Sequence, residues 1–372
     1  MSLSDDIKSM ALDAGCHAVG ITNVRPFLEA EKSLARKFES GLLESSGFTP
    51  EKIHKFTHPA ETYPSARSII SVAYSYLTDD MDVPPPDDLP RGFMARFARG
   101  LDYHQNTPIS DFTGKLRQHF GSEVVFRFAM DTGHVVDRAA AVRAGVGSQG
   151  KNTCVYAGGY GSWVVLGEIL IDAELSPDPT SPADICGECR ECMKACPTGA
   201  ISAPYQVDMR LCLSQATQMK GIIPQGLREK MGARIYGCDT CQSACPMNKG
   251  AKPGNIEVFH PSRGLGNNPE LLPLLNMTAG EFNSRVAPTT AGWIRRTRFR
   301  RNVAVALGNI GDPIAVPSLI EALGDPEPLI RAHAAWALGR ISTPGAKTAL
   351  EKALSPETDD AVRSEISSAL HG

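Results

Sequence analysis

The sequence predicts a multidomain fold of the α+β class, and three observations support this prediction. With 372 residues, the chain is too long for one ordinary hydrophobic core, so two or three domains are expected. Helical and strand patterns alternate in the first half, eight of the ten cysteines fall between positions 186 and 245, and a 31-residue repeat begins near position 295. These patterns divide the chain into residues 1–180, 181–250, 251–294 and 295–372.

Residues 1–180 have the patterning of an α/β domain. Apolar residues recur at helical spacing over about Leu3 to Ala14, and Gly15 can end this first helix. The stretch Ser68 to Tyr74 is apolar and rich in β-branched residues, as in a buried strand. We further predict strands over His17 to Ile21, Val124 to Met130 and Trp163 to Ile171, a helix over Val136 to Ala144, and a loop at Pro84 to Pro86.

Two cysteine runs in residues 181–250 have the spacing of iron–sulfur ligands. The first run, CxxCxxCxxxCP from Cys186 to Pro197, is that of bacterial ferredoxins, in which the fourth cysteine binds the other cluster. The second run, CxxCxxxCP from Cys238 to Pro246, lacks the first cysteine of the pattern, and Cys212 is the obvious substitute.

The two runs therefore predict a ferredoxin-like module with two [4Fe–4S] clusters and crossed ligands. Zinc is the alternative, but two CxxxCP endings and eight thiolates without a histidine favour iron. The predicted ligand sets are Cys186, Cys189, Cys192 and Cys245 for one cluster, and Cys212, Cys238, Cys241 and Cys196 for the other. Two neighbouring clusters transfer electrons, either to an enzyme site or within a plain electron carrier.

The last region repeats itself at an offset of 31 residues. The segment Ala306 to Gly311 recurs as Ala337 to Ser342, and Pro313 recurs as Pro344. Paired helices of this length form a HEAT-like α-solenoid, which we predict for residues 295–372. Two unrelated amphipathic helices are the alternative. Residues 251–294 are interpreted as a linker with short helices.

Composition limits the classes of function. The net charge is −3, so nucleic-acid binding would need a local basic patch. The first residues lack the basic start and apolar run of a signal peptide, and no stretch approaches 18 uncharged apolar residues. We therefore expect a cytoplasmic protein, in which cysteines seldom form disulfides.

Asp131 is the candidate catalytic acid. It follows a predicted strand and precedes Gly133, a position from which a carboxylate can face a crevice and transfer protons. The alternative is an aspartate that caps the following helix. Downstream, the glycine-rich segment Ala144 to Thr153 does not have P-loop spacing, and a helix precedes it where a dinucleotide fold needs a strand. We interpret it as backbone that approaches a bulky cofactor.

Two cation-rich segments are candidate binding surfaces. The stretch Arg96 to His104 mixes cations with aromatic residues, which suits either a pocket for a flat or anionic group or a solvated helix face. Between Phe282 and Gly311 there are six arginines and no acidic residue, a pattern that suits RNA phosphates. A solvated helix end is the alternative. The candidate RNA contacts are Arg295, Arg296, Arg298, Arg300 and Arg301.

With these motifs in view, the chain resembles the epoxyqueuosine reductases, cobalamin-dependent iron–sulfur enzymes of queuosine synthesis in tRNA. The resemblance runs over nearly the whole chain. CPTGA alone occurs in many ferredoxin-like proteins, and the combination in this order is far more specific. The motifs are ARFARGLDYH at 95–104, MDTG at 130–133, DRAAAVRAGVGSQGKN at 137–152, YGSWVVLGEI at 160–169, CGECRECMKACPTGA at 186–200, YGCDTCQSACPMNKG at 236–250 and AAWALGRI at 334–341.

The resemblance implies that residues 1–180 form an α/β cobalamin-binding domain. It also implies that electrons pass from the clusters to cobalamin, and that Asp131 donates a proton as the epoxide of tRNA-bound epoxyqueuosine is reduced. His134 stands where relatives often have Pro, Ala95 stands where some have Cys, and the surroundings of Lys55 match poorly. The implied cobalamin contacts are Lys55, Ala95, Asp131, Arg138, Lys151, Asn152, Ser162, Ser214 and Asp239.

Two other classes of function are weighed against this one. A cobalamin and iron–sulfur reductase of another substrate, such as an organohalide, usually brings a twin-arginine export signal, which the sequence lacks. A plain electron carrier would bind neither a corrinoid nor tRNA. We further expect a monomeric enzyme that receives electrons from a flavodoxin- or ferredoxin-type donor.

Overall fold

The computed structural model describes residues 2–44, 46–79, 88–104, 107–121, 126–129, 134–182 and 184–371. The chain forms two compact units, each made of separate stretches of sequence. Unit 1 comprises Met1–Asp79, Tyr103–Arg210 and Thr240–Val258, and unit 2 comprises Asp80–Asp102, Leu211–Asp239 and Phe259–Gly372.

Helices and strands are numbered here in chain order. The strands are β1 (Ala18–Asn23), β2 (Ser68–Ser75), β3 (Phe93–Met94), β4 (Phe126–Ala129), β5 (Ser148–Gln149), β6 (Val155–Tyr156), β7 (Val164–Ile171) and β8 (Arg234–Tyr236). The helices are α1 (Leu3–Asp13), α2 (Leu28–Glu39), α3 (Pro50–Thr57), α4 (Pro59–Thr62), α5 (Pro108–Phe120), α6 (Asp137–Arg143), α7 (Glu191–Ala195), α8 (Leu213–Gln218), α9 (Gln225–Met231), α10 (Thr240–Ser243), α11 (Leu272–Leu275), α12 (Ala279–Arg285), α13 (Arg295–Ile310), α14 (Val316–Ala322), α15 (Pro328–Ile341), α16 (Pro344–Leu354) and α17 (Asp360–His371).

Unit 1 is built on an antiparallel sheet with the strand order β1-β2-β7-β4. Strand β2 is buried at all eight positions, as its apolar sequence predicted. The predicted helices and strands are confirmed with end points shifted by a few residues, while the Pro84 to Pro86 loop lies outside the described residues. Helix α1 starts with a capping box between Ser2 and Asp5, and Gly15 follows it at φ +94°.

Unit 2 confirms the helical repeat. Gly308 on α13 and Gly339 on α15 occupy equivalent positions, and at both a side chain is excluded by the neighbouring helix. A Cβ at Gly308 would lie 2.8 Å from Ala337 Cα, and one at Gly339 would lie 2.7 Å from Ala369 Cβ. Gly311 and Ser342, also 31 residues apart, end their helices in the left-handed conformation. The repeated glycine thus lets successive helices pack closely.

The two units cut across the boundaries predicted from the order of sequence motifs. Residues 211–239, within the predicted cysteine module, belong to unit 2 with the helical repeats. The reason is a set of buried polar contacts from α13: Asn302 Nδ2 donates to Thr217 O (2.7 Å) and to Ile235 O (2.8 Å). These contacts join α8 and β8 to the first repeat helix, although more than 60 residues separate them along the chain.

Candidate functional site

Four of the predicted cluster ligands lie together in unit 1. Burial raises the pKa of the Cys192 thiol, and the neighbouring thiols of Cys245, Cys186 and Cys189 raise it further. Cys245 thus reaches the first cysteine run from more than 50 residues away, as the crossed assignment predicts. Asp184 Oδ1 accepts bonds from the Cys186 and Gly187 N–H groups, each 3.0 Å, and so fixes the start of the loop. Four converging thiols fit a [4Fe–4S] cluster.

The second predicted ligand set is divided between the units. Cys196 and Cys241 belong to unit 1, and Cys212 and Cys238 belong to unit 2, so their joint binding of one cluster stays a prediction. Burial acts to raise the pKa of Cys196, but hydrogen bonds from Thr198 and from nearby backbone N–H groups lower it overall. These donors favour the thiolate form that binds iron.

Tyr156 is a site residue that the sequence motifs did not single out. Its hydroxyl donates to Cys245 Sγ at 3.0 Å, and both residues are buried. Asn152 Nδ2 donates to the same hydroxyl oxygen at 3.0 Å, while Asn152 Oδ1 accepts from the Cys154 N–H at 3.2 Å and so fixes the orientation of the amide. The hydroxyl proton is therefore directed at the sulfur. Asn152 therefore orients Tyr156, and its predicted contact with cobalamin stays a prediction.

The glycine-rich segment Ala144 to Thr153 also leaves space for Tyr156. A Cβ at Gly147 would lie 2.5 Å from the Tyr156 carbonyl oxygen, and one at Gly150 would lie 2.6 Å from the Tyr156 ring. Strands β5 and β6 pair here as a short hairpin. Gly147 and Gly150 therefore make room for a neighbouring tyrosine, while the approach of this segment to a bulky cofactor stays a prediction.

Lys151 and Ser162, predicted as cobalamin contacts, are engaged by the cysteine loops of unit 1. The Lys151 N–H lies 3.4 Å from Cys186 Sγ, and its ammonium group donates to the carbonyl oxygens of Gly187 and, at 3.1 Å, Cys189. Ser162 Oγ donates to Gln242 Oε1 at 2.9 Å. These contacts link the strand-rich part of unit 1 to both cysteine runs.

Two predicted cobalamin contacts of unit 1 are exposed cations. Lys55 is exposed on α3, and Arg138 is exposed on α6 with Nη1 donating to Thr153 Oγ1 at 2.9 Å. Burial lowers the pKa of Lys37, and the nearby Arg138 and Arg36 lower it further. Within the described ranges, Lys37 and Arg138 make no ion pair. This positive cluster fits an anionic group, and the nucleotide tail of a cobalamin carries a phosphate.

The remaining predicted cobalamin contacts lie in unit 2. Asp239 is buried and accepts from the Arg96 N–H at 2.8 Å, and the Ala95 N–H donates to Tyr236 O at 3.0 Å. Ala95 is fully buried, and a Cβ at Gly237 would lie 2.5 Å from Ala95 Cβ. Ser214 Oγ accepts from Gln218 Nε2 at 3.3 Å. Their part in cofactor binding stays a prediction.

The stretch Arg96 to His104 is not a solvated helix face. Residues 96–98 form a short 3₁₀ turn, and Arg99 is buried with Nε donating to Met94 O at 3.1 Å. The Arg99 guanidinium also lies over the Phe93 ring, 5.8 Å from its centroid. Arg99 therefore stabilises the turn from within and is not an exposed cation.

Asp131 lies outside the described residues, so its role stays a prediction. The alternative role predicted for Asp131 is to cap the following helix, α6. The N-cap residue of α6 is Val136, five residues after Asp131, and its side chain makes no capping hydrogen bond. The N-cap position of α6 is therefore taken by Val136 and not by Asp131. His134 Nδ1 lies 2.8 Å from the Tyr63 hydroxyl, so the described chain that follows Asp131 is held against Tyr63.

Two of the predicted tRNA contacts are wrong, because Arg300 and Arg301 are buried in unit 2. Arg301 is 0% exposed and donates to four carbonyl groups, at Ala216, Thr217, Met219 and Gly221. Arg300 donates to Leu275 O and pairs with Asp325 at 2.6 Å. Neither guanidinium can reach a phosphate without leaving these partners.

Arg295, Arg296 and Arg298 remain accessible. Arg295 is exposed, and the other two are half-buried, with Arg296 Nη1 donating to Met277 O and Arg298 Nη1 donating to Gln218 O. Trp293 is 58% exposed, and the Arg298 guanidinium lies 5.2 Å from its ring centroid. Phe299, by contrast, is fully buried. The accessible arginines and Trp293 form a surface that suits nucleic acid.

The fold and the thiol sets define the class of the protein: a two-cluster iron–sulfur protein with a helical-repeat unit. Family models agree with each part. They are the 4Fe-4S double cluster binding domain over residues 185–248, HEAT repeats over 295–371, and "Epoxyqueuosine reductase QueG, DUF1730" over 57–132. The two predicted [4Fe–4S] clusters and the HEAT-like tail are thereby confirmed.

Curated relatives and solved structures cover the whole chain. Epoxyqueuosine reductases of Bacillus cereus and Bacillus subtilis are each 35% identical, over 99% and 98% of this chain and 97% and 94% of theirs. A crystal structure of epoxyqueuosine reductase with an epoxyqueuosine-modified tRNA-Tyr stem loop has a TM-score of 0.92 at 34% identity and covers 99% of this chain and 98% of that one. The chain belongs to the epoxyqueuosine reductase family of oxidoreductases.

None of the helices in the described ranges has the length and apolar content that crossing a bilayer demands.

Proposed function

We propose that this protein reduces epoxyqueuosine to queuosine in the anticodon loop of tRNA. The observation that carries the proposal is the convergence of Cys186, Cys189, Cys192 and Cys245 in a chain similar to the epoxyqueuosine reductases over its whole length. The similar structure with a modified tRNA stem loop supports tRNA as the substrate. In the overall reaction, an epoxide gains two electrons and two protons, both C–O bonds break, and an alkene and water are formed.

Cobalamin is the second cofactor of the proposal. When bound, it supplies the low-potential electron transfer that opens an epoxide. In this chain, the cationic group of Lys37 and Arg138 would hold its phosphate, and the exposed Lys55 would add a further positive charge. Lys151 and Asn152 would support the cluster of the first cysteine run, since Lys151 binds the first cysteine loop and Asn152 orients Tyr156.

Asp131 is the proposed proton donor. As the C–O bond breaks, negative charge builds on oxygen, and a nearby carboxylic acid can neutralise it. A poorly solvated pocket would raise the pKa of such an acid, so that it stays protonated near neutral pH. We further propose that the enzyme is a cytoplasmic monomer that receives electrons from a flavodoxin- or ferredoxin-type donor.

The test is reduction of epoxyqueuosine-containing tRNA by anaerobically reconstituted protein, with and without cobalamin. Nucleosides are released and analysed by mass spectrometry. We expect a loss of one oxygen atom that depends on cobalamin. Full iron content and bound corrinoid without conversion would overturn the proposal and favour another reducible substrate.

A further inference from the structure

We propose that Glu31, His54 and His58 form a binding site for a divalent cation of the zinc class. All three residues belong to unit 1, and one ligand atom from each lies within 4.8 Å of the others. None of them is a predicted contact of the clusters, cobalamin or tRNA. The proposal does not depend on the reaction proposed above.

The two histidines are brought together by helix geometry. They are four residues apart at the C-terminal end of α3, so their side chains lie on one face, one turn apart. Their rings stack with centroids 3.9 Å apart and an interplanar angle of 24°. His58 is largely covered, with 11% of its side chain exposed, while His54 is 53% exposed. One side of the pair is therefore open to a cation from solvent.

The third ligand comes from the neighbouring helix α2. Glu31 Oε1 lies 3.0 Å from His54 Nδ1 and 3.8 Å from His58 Nδ1, so its carboxylate lies beside both rings. The ligand atom of His58 would be Nε2, because Nδ1 contacts the His54 carbonyl oxygen. Two imidazole nitrogens and one carboxylate oxygen are the protein ligands of many zinc sites, with water in the fourth position. Calcium and magnesium prefer all-oxygen ligands, and Cu(I) prefers sulfur. The ligand set therefore selects zinc and its neighbours in the transition series.

The outer contacts of both histidines are those of metal ligands. Glu61 Oε2 lies 3.0 Å from His54 Nε2, so it can hold the N–H there and leave the Nδ1 lone pair facing Glu31. His58 Nδ1 lies 3.1 Å from the His54 carbonyl oxygen, which leaves the lone pair of His58 on Nε2. A carboxylate or a backbone carbonyl on the second nitrogen is the usual way in which a zinc-binding imidazole is oriented.

A proton is the competitor of the metal at this site. Without a cation, a protonated His54 would bridge Glu31 and Glu61, but its single positive charge faces two carboxylates. A divalent cation would balance both charges and would join α2 to α3 and α4. The protonated site and the metal-bound site use the same side chains. A direct measurement of metal binding is therefore needed to distinguish them.

The experiment uses full-length protein with its clusters reconstituted and loosely bound metal removed by a chelator. Zinc chloride is then titrated by anaerobic calorimetry. We expect one zinc ion per chain, with affinity at least about tenfold weaker in His54→Gln, His58→Gln and Glu31→Gln. The matched control is His119→Gln, which removes an exposed histidine from α5 and is expected to bind as the wild type. Glu61→Gln is expected to keep the stoichiometry and weaken the affinity less.

Cysteine thiols can also bind zinc and are the main source of a false result. Zinc K-edge X-ray absorption is therefore used to identify the ligands. We expect nitrogen and oxygen scatterers with an imidazole signature and no sulfur. Iron content and circular dichroism establish that each variant is folded. Sulfur ligation, wild-type affinity in folded His54→Gln, or no stoichiometric binding would each overturn the proposal. Tenfold weaker binding with unchanged iron content supports it and leaves the reductase proposal unaffected.

Discussion

At the scale of single residues, the hydroxyl of Tyr156 links the β5–β6 hairpin to the electron-transfer centre. A hydrogen bond to a cluster sulfur stabilises the reduced, more negative state and raises the reduction potential. Asn152 directs this hydrogen bond, and Gly150 leaves the space that the ring occupies. The potential of one cluster therefore depends on residues that do not bind iron.

Tyr156→Phe should lower the midpoint potential of one cluster. A hydrogen bond that differs by about 1 kcal/mol between the two redox states corresponds to roughly 40 mV for one electron. Electron paramagnetic resonance during a redox titration measures this shift, and iron content should be unchanged. The control is Tyr160→Phe, whose ring stacks on His17. Equal potentials in Tyr156→Phe and wild type would show that the hydroxyl does not act on the cluster.

Asp131→Asn should abolish most of the reduction of epoxyqueuosine. Loss of a general acid commonly costs about 10²–10⁴-fold in rate, since the amide cannot protonate the developing oxyanion. Single-turnover conversion of modified tRNA measures the rate, while iron, corrinoid content and tRNA affinity should stay at wild-type values. Asp111→Asn, on the exposed first turn of α5, is the control. A wild-type rate in Asp131→Asn would remove Asp131 from the mechanism.

Residues differ in how far their roles follow from sequence. Cysteine roles follow from local spacing, because CxxC loops position several thiolates within a few residues. Spacing also suggested Cys245 as the partner of the first run, and the structure brings the two together. The burial of Arg301 was not predictable, since its carbonyl acceptors lie 80 or more residues away and only the tertiary fold brings them together.

At the scale of elements, α13 joins the repeats to the rest of unit 2 through buried polar groups. Arg301→Met should therefore destabilise the protein strongly, because it leaves buried carbonyl groups unpaired. A buried acceptor left without its donor costs about 1–3 kcal/mol, and Arg301 serves several such carbonyl groups. The apparent Tm should fall by roughly 10 °C at a fixed scan rate.

Differential scanning fluorimetry of the holoprotein measures the Arg301 effect. Arg295→Met is the matched control, because Arg295 is exposed at the start of the same helix and should change Tm little. Equal Tm values for the two variants would show that the buried contacts of Arg301 contribute no net stability.

The pair of Arg331 and Glu357 predicts a pH dependence within the repeats. Arg331 binds both carboxylate oxygens, at 2.7 and 2.8 Å, and lowers the pKa of Glu357 from 4.5 to about 2. Since the folded pKa lies below the unfolded one, the stabilisation is complete above about pH 4.5 and is lost as the pH falls towards 2. Glu357→Gln should lower the Tm at pH 7.

The Tm difference between wild type and Glu357→Gln should narrow as the pH falls from 5 towards 3. Thermal unfolding across this range measures it. Glu351→Gln, on the exposed face of α16, provides the control. A difference that stays constant with pH would assign the effect of Glu357→Gln to packing and not to its charge.

Elements were largely predictable where the pattern is local. Helix α1, strand β2 and the 31-residue repeat follow from hydrophobic period and from end signals such as Gly15 and Gly311. The grouping of the elements into two units was not predictable from the sequence, because strands as short as β3 and β8 show little hydrophobic pattern. Their pairing depends on contacts with distant helices.

At the scale of the whole molecule, the accessible arginines at the start of α13 are the proposed tRNA-docking surface. Replacing Arg295, Arg296 and Arg298 together by Gln should weaken binding of a modified stem loop. The slope of log K against log salt should fall by about one for each lost phosphate contact. Fluorescence anisotropy over a range of salt concentrations measures both quantities.

Lys347→Gln, an exposed lysine on α16, is the control for general loss of positive charge. Unchanged affinity and slope in the triple variant, with a wild-type Tm, would reject this surface. Substitution of Arg300 cannot test docking, since breaking its buried pair with Asp325 would destabilise the unit and confuse the two effects.

The interleaving of the two units also sets an order of events during synthesis on the ribosome. Residues 211–239, which carry Cys212 and Cys238, pair with the earlier strand β3 through β8 and also hydrogen-bond to α13, so their packing is complete only when the nascent chain extends past residue 310. We therefore expect the segment that carries Cys212 and Cys238 to reach its final packing late in synthesis, when the polypeptide is nearly finished.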